Sequence, residues 1–218
     1  MDVKKILLIG GGGHCHSVLD SVISTDLYDE IGIVAQNEDN YLELKNDSIV
    51  SDYLVGIDAD LPILLSKGWS DAFVTLGSVG NTIGRNRIYT SLKEIGFNIP
   101  VIIDKTAIIS EKSTIEEGVF IGKNAVINTG CKVGKCAIIN SAAVIEHDCL
   151  IGAFTHVSPG AILCGQVTVG SDSHVGAGSM VKQLINIGSN ALIGMGSVVI
   201  SDIPSNAKAY GNPCKVVE

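Results

Sequence analysis

Residues 121–162 read, six at a time, IGKNAV, INTGCK, VGKCAI, INSAAV, IEHDCL, IGAFTH and VSPGAI, each block opening on an aliphatic residue. The register runs on in both directions: from Ile109 to Val199 an Ile, Val or Leu stands at every sixth position, sixteen times without exception. A period of six fits neither a helix near 3.6 residues per turn nor strands separated by turns of varied length. It fits a triangular prism, in which each hexapeptide makes one flat side, the aliphatic residue points inward, and three sides close a coil of 18 residues, about five coils in all. Four residues after most aliphatic positions the chain is small (Ala125, Cys131, Ala137, Ala143, Cys149, Ala161, Ser173), as a crowded corner requires. Glycine follows the aliphatic residue at 122, 134, 152, 170, 176, 188 and 194, which reads as a bend needing an unencumbered backbone. Cys131 and Cys149 stand one coil apart and should stack as two small buried thiols.

Residues before this array keep another rhythm. Lys4 to Gly10 (KKILLIG) reads as a buried strand, His14–Thr25 as a helix and Glu30–Ala35 as a second strand. A polar stretch from Gln36 to Asp52 follows, then DAFVTLG (71–77) as a strand and Asn86–Gly96 as a helix. The expected fold is therefore an α/β N-terminal domain with a parallel sheet of βαβ type, residues 1–100, followed by a left-handed parallel β-helix of hexapeptide repeats, residues 101–218. The handedness of the β-helix comes from the resemblance described below.

Composition narrows the partners. At 46% apolar residues the chain has ample material for a core, and a net charge of −8 argues against a nucleic acid held along a basic surface. The apolar run after Lys4 and Lys5 is too short for a signal peptide or a membrane span, so the expectation is a cytoplasmic protein without a membrane partner. Six cysteines with no CxxC pair read as reduced thiols, and no metal is expected.

From Ala137 to Gly165 the nearly neutral repeat surface is interrupted by Asn140, Glu146, His147, Asp148 and His156. Together with GGGGHCHSVLDS near the start, IIDKTAIIS at the junction and IPSNAKAYGNPCKV at the end, this run resembles the bacterial hexapeptide-repeat acyltransferases that include sialic-acid O-acetyltransferases and the N-acetyltransferases of nucleotide-linked amino sugars of bacillosamine and perosamine type. The resemblance covers nearly the whole chain. It implies a left-handed β-helix, acetyl-CoA as co-substrate, a sugar acceptor, and a homotrimer with active sites between subunits.

Acyl transfer from a thioester needs a base for the attacking amine or hydroxyl and a donor for the oxyanion. His147 is the candidate base, because an imidazole is partly neutral near pH 7 and an adjacent carboxylate can orient it. Asp148 matches the acidic position that follows this histidine in the family. Chain neighbours on a strand point apart, so a corner or another subunit must bring Asp148 into reach, with Glu146 as the second candidate. The resemblance implies that His156 contacts acetyl-CoA, that the Gly165 N–H meets the acetyl carbonyl, and that Asn140 lies near the acceptor. His174, one coil above His156, reads either as a CoA contact or as an exposed stacked histidine, the second being favoured. Lys215 in GNPCK reads equally as a phosphate contact or a plain surface lysine.

The turn Gly10, Gly11, Gly12, Gly13, His14 offers backbone N–H groups at a helix start, suited to a phosphate. It fails as a dinucleotide fingerprint, since Cys15 or His16 occupies the third glycine place and Gln36 and Asn37 replace the ribose-binding acid. Family members use this domain for the sugar nucleotide, with Gly77, Ser78 and the GNTIGR segment as the facing loop. The leading functional reading is acetylation of the amino group of a nucleotide-linked sugar. O-acetylation of sialic acid or a similar acidic sugar is the runner-up, and a silent β-helix scaffold is the reading from another class.

Overall fold

The structure, a computed structural model, describes residues 3–217. They form two compact units: residues 3–77 with 83–100, and residues 78–82 with 101–217.

In the first unit four parallel strands, β1 (Lys5–Ile9), β2 (Glu30–Ala35), β3 (Leu54–Ile57) and β4 (Asp71–Val74), lie in the order β3-β2-β1-β4. Ile6, Leu7, Leu8 and Phe73 are buried, which is why these strands read as continuous apolar runs rather than alternating ones. The helices are α1 (Gly13–Thr25), α2 (Glu38–Leu44), α3 (Leu61–Ser66) and α4 (Ile83–Ile95). Four expectations are corrected. The polar stretch 36–52 contains α2, β3 and α3 follow it unannounced, the strand expected over 71–77 ends at Val74, and α4 begins at Ile83 rather than Asn86. Helix α2 buries no residue, so it carries no apolar period; its start is set by Asn37, whose side chain accepts from Asn40 N at 3.0 Å.

The second unit is the left-handed β-helix. Two-residue strands pair in parallel with those 18 positions away, for example Val144 with Val126 and Ile162, giving three flat faces. One carries Ile121, Ile139, Val157, Val175 and Ile193 inward, the next Ile127, Ile145, Leu163 and Val181, the third Val133, Ile151, Val169 and Ile187. From Ile121 onward every inward aliphatic residue of the series is buried, each worth roughly 1.5–3 kcal/mol relative to exposure. The small positions at 125, 131, 137, 143, 149 and 161 are equally buried. An antiparallel pair, Lys208–Tyr210 with Lys215–Val216, closes the last coil.

The glycines after the aliphatic positions serve a different purpose from the bend expected of them. None has a positive φ; the left-handed residue of each corner comes two positions later, as at Asn124, Cys136 and Asp172. What these glycines provide is close stacking. A Cβ at Gly134 would lie 2.8 Å from Ala153 N, and one at Gly122 would lie 2.9 Å from Ser141 N, both backbone atoms of the next coil. Cys131 and Cys149 are free thiols in successive coils, donating to the Glu146 and Cys164 carbonyls at 3.0 and 3.2 Å.

Candidate active site

Two groups of site residues lie on different edges of the prism. The first is at the corner between the Ile145 and Ile151 faces. Asp148 takes a left-handed backbone, φ 58°, which breaks the alternation of an extended chain and turns its carboxylate back toward its neighbour. The result is a 3.0 Å contact between His147 Nδ1 and Asp148 Oδ2. A carboxylate only accepts, so Nδ1 carries the hydrogen and Nε2 is left as the basic atom. Glu146 is engaged elsewhere, accepting from Asn128 Nδ2 at 3.1 Å and from His147 N at 3.3 Å.

Glycines one coil away on either side bracket this pair. A Cβ at Gly165 would collide with His147 Nε2 and lie 2.6 Å from Cε1, so the ring rests against the Gly165 backbone; a Cβ at Gly130 would collide with Asp148 Oδ1. The Gly165 N–H donates to nothing among the described residues. Gly130 escaped sequence reading although it stands 18 positions before Asp148. The hydrogen bond that His147 Nδ1 donates to Asp148 raises the His147 pKa above its ordinary value, with the Asp148 and Glu146 charges adding to it. Asp148→Asn removes the carboxylate, and the pH at which the neutral imidazole appears should fall accordingly. The expected result is an activity profile whose acidic limb moves to lower pH while its plateau drops; an unmoved limb would dissociate Asp148 from the titration.

The second group lies at the opposite edge of the Ile145 face, where the chain leaves the Ile121 face. Asn140 Nδ2 is 3.1 Å from His156 Nε2, and His156 Nδ1 is 2.8 Å from the Ser78 carbonyl. His174 stands in register above His156. It is buried, which corrects the expectation of an exposed ring: Ser78–Thr82 crosses this face, with Ser78 on His156, Gly80 against Leu192 and Thr82 on Asp172. Ser78 is thus held by the β-helix face. Lys215 is exposed on the closing strand.

The first unit has a cleft of about 480 Å³ at the carboxyl ends of its strands, lined by Gly10 to Gly13, His14 and Gly77 together with Gln36, Asn40, Glu43 and Leu44. The last three belong to α2 and were missed with it. Thr75 Oγ1 donates to the Gly10 carbonyl at 2.6 Å and Gly10 N donates to Val34 O at 2.9 Å, fixing the turn. Gly10 needs its φ of +106°, whereas a Cβ at Gly12 or Gly13 would meet nothing within 4 Å. Their N–H groups open α1, which has no side-chain cap of its own. Among the described residues no group of three or more His, Cys, Asp and Glu could hold a metal ion, and no helix is long and apolar enough to cross a membrane.

Comparison with known proteins agrees with this anatomy. The family model of the PglD N-terminal domain matches residues 5–92, and that of the hexapeptide repeat of succinyl-transferase matches 113–141, 142–183 and 166–201. No curated protein sequence matches the chain. A histidine-to-asparagine variant of perosamine N-acetyltransferase from Caulobacter crescentus, solved with CoA and GDP-perosamine, is 30% identical, with 100% of this chain and 98% of that one covered at a TM-score of 0.89. The acetyltransferase domain of PglB from Neisseria gonorrhoeae FA1090, solved with acetyl coenzyme A, is 30% identical over 99% and 100% of the two chains, TM-score 0.85. WeeI from Acinetobacter baumannii AYE, 22% identical over 97% and 99%, shares the fold at a TM-score of 0.83. With its repeat register, its parallel sheet with a glycine-rich turn after the first strand, and these matches along its whole length, the chain belongs to the family of hexapeptide-repeat sugar acetyltransferases that carry a PglD-type N-terminal domain.

Proposed function

We propose that the protein transfers the acetyl group of acetyl-CoA to the amino group of a nucleotide-linked amino sugar, with His147 as general base. The observation that carries this reading is the His147–Asp148 pair seated on Gly165, an oriented imidazole beside an uncommitted backbone N–H. His147 Nε2 takes the proton that the acceptor nitrogen loses as it bonds to the thioester carbonyl carbon. The Gly165 N–H holds the oxyanion of the tetrahedral adduct, the C–S bond then breaks, and the imidazolium returns its proton to the departing CoA thiolate. Asp148 stabilises the imidazolium while it lasts.

The wild-type enzyme is read as a homotrimer. The Ile145 face turns an apolar stripe outward, with Ile108, Ile162 and Met180 exposed by 65%, 37% and 51%. With that face toward a threefold axis, the His147 edge of one prism adjoins the Asn140 and His156 edge of the next, and the arrangement closes. This brings the two separated groups into shared sites for acetyl-CoA. Light scattering is expected to give about three times the 22.8 kDa chain mass. A cytoplasmic setting, where acetyl-CoA is available, suits the free thiols; Lys215 is assigned to a CoA phosphate on the family resemblance alone.

The cleft at Gly10–Gly13 is assigned to the acceptor's phosphates, with His14 and Gly77 at its wall. Gly12 has an ordinary φ of −77° and open space around it, so a large side chain fits the fold yet fills the cleft. Gly12→Phe is expected to raise the acceptor KM about tenfold or more with the acetyl-CoA KM nearly unchanged. Equal effects on both constants would remove the assignment.

The direct test of the activity is acetyl-CoA consumption across UDP-, GDP- and CMP-linked sugars with and without a free amine. Turnover confined to the amino sugars is expected; turnover on hydroxyl acceptors such as sialic acid alone would overturn the nitrogen assignment.

A further inference from the structure

The geometry around His156 gives the Ser78–Thr82 segment a role in the reaction. His156 Nδ1 sits 2.8 Å from the Ser78 carbonyl, which only accepts, so Nδ1 bears the hydrogen. His156 Nε2 faces Asn140 Nδ2 at 3.1 Å, and that amide is oriented by Ser141 N–H donating to Asn140 Oδ1 at 2.8 Å. The amide nitrogen donates, so Nε2 is bare and the ring is neutral; a second proton would set two N–H groups against each other. His174 reinforces this. Its ring stands edge-on to His156 at 5.0 Å and 82°, and burial lowers its pKa, so His156 packs against an uncharged, buried ring, surroundings that favour its own neutral form. The segment is itself held, by the 2.5 Å bond from Thr82 Oγ1 to Asp172 Oδ1 and by Gly80 packed against Leu192.

We infer that Ser78–Thr82 is a strap that fixes His156 as its Nδ1–H tautomer, and that His156 in turn presents Asn140 to the reacting ligands as a hydrogen-bond donor through its second amide hydrogen. Asn140 uses its oxygen on Ser141 and one amide hydrogen on His156, so the half-buried side chain has one hydrogen left to offer, and it suits an oxygen of the acceptor or of the adduct. His156 and Ser78 are then positioning residues, and His156 acts on acetyl transfer through Asn140 rather than through a ring nitrogen of its own. The functional half of this inference rests on the acetyl-transfer reading; the tautomer does not.

Ring-nitrogen NMR of the full-length, 15N-histidine-labelled protein at neutral pH tests it, with His156 assigned by the signals lost in His156→Gln. The expected spectrum shows His156 protonated at Nδ1 and bare at Nε2. In Asn140→Asp the carboxylate only accepts, so both ring nitrogens should be protonated and kcat should fall by roughly tenfold or more for want of the donor. In Thr82→Val, which removes the hydrogen bond tying the strap to Asp172, signal from the Nε2–H tautomer should appear. A wild-type His156 protonated at Nε2, an unchanged spectrum in Thr82→Val, or near-normal turnover by Asn140→Asp would each overturn the proposal. The wild-type and Thr82→Val spectra need no substrate, so a protein that kept the tautomer but transferred no acetyl group would refute the proposed function and leave the strap standing.

Discussion

His147→Ala is expected to lose on the order of 10² to 10⁴ in kcat, the range for removal of a general base. The loss should fall on turnover, with both KM values changed little, because the imidazole acts on a proton in flight rather than on bound ligands. The melting temperature should stay where it is: the side chain is 52% exposed and outside the inward aliphatic ladder. Steady-state kinetics with a thermal melt of the same preparation checks both halves. Retention of more than about a tenth of normal kcat would exclude His147 as the base and leave it a polar ornament of the corner.

Gly165→Ala should reproduce much of that defect without touching the histidine. Gly165 has no positive φ, so alanine suits its backbone, but the new methyl would occupy the place of the His147 ring, 2.6 Å from Cε1 and 3.1 Å from Cδ2. The ring is half exposed and swings outward rather than forcing the coils apart. Displacing a reacting group by about 1 Å costs on the order of 10² in rate, while stability should change by less than about 1 kcal/mol. Gly152→Ala is the contrast, since its methyl would meet the Ser171 backbone, which cannot step aside. That variant should lose stability first and activity only as a consequence. If Gly165→Ala were fully active, the ring would not depend on this seat.

The β-helix was legible because its rule is local and repeated: the inward residue of every hexapeptide declares itself. The α/β unit was legible where it buries apolar strands and lost where it does not. Helix α2 has no buried residue, and only Asn37 with Glu38 and Asp39 behind it marked the start. At the site, His147 could be read from chemistry, but the reach of Asp148 depends on one left-handed corner residue that alternation forbids. Gly130 and Gly165 lie 18 residues before Asp148 and 18 after His147, so the coil length alone could have placed both beside the pair. The burial of His174 was beyond the sequence, because its cover arrives from Ser78–Thr82, some ninety residues earlier.

The central claim is that acetyl transfer occurs at a His147 corner completed by the Asn140 and His156 edge of another copy. Subunit mixing tests it directly. His147→Ala and Asn140→Ala chains, each expected to keep about a tenth or less of normal turnover when alone, are unfolded together in equal amounts, refolded, and assayed for acetyl transfer. Sites built across subunits pair an intact His147 from one chain with an intact Asn140 from the other, and random assembly should restore about a quarter of the wild-type activity. Mixed trimers that remain as inactive as the parents would place both groups in the site of a single chain and contradict the account.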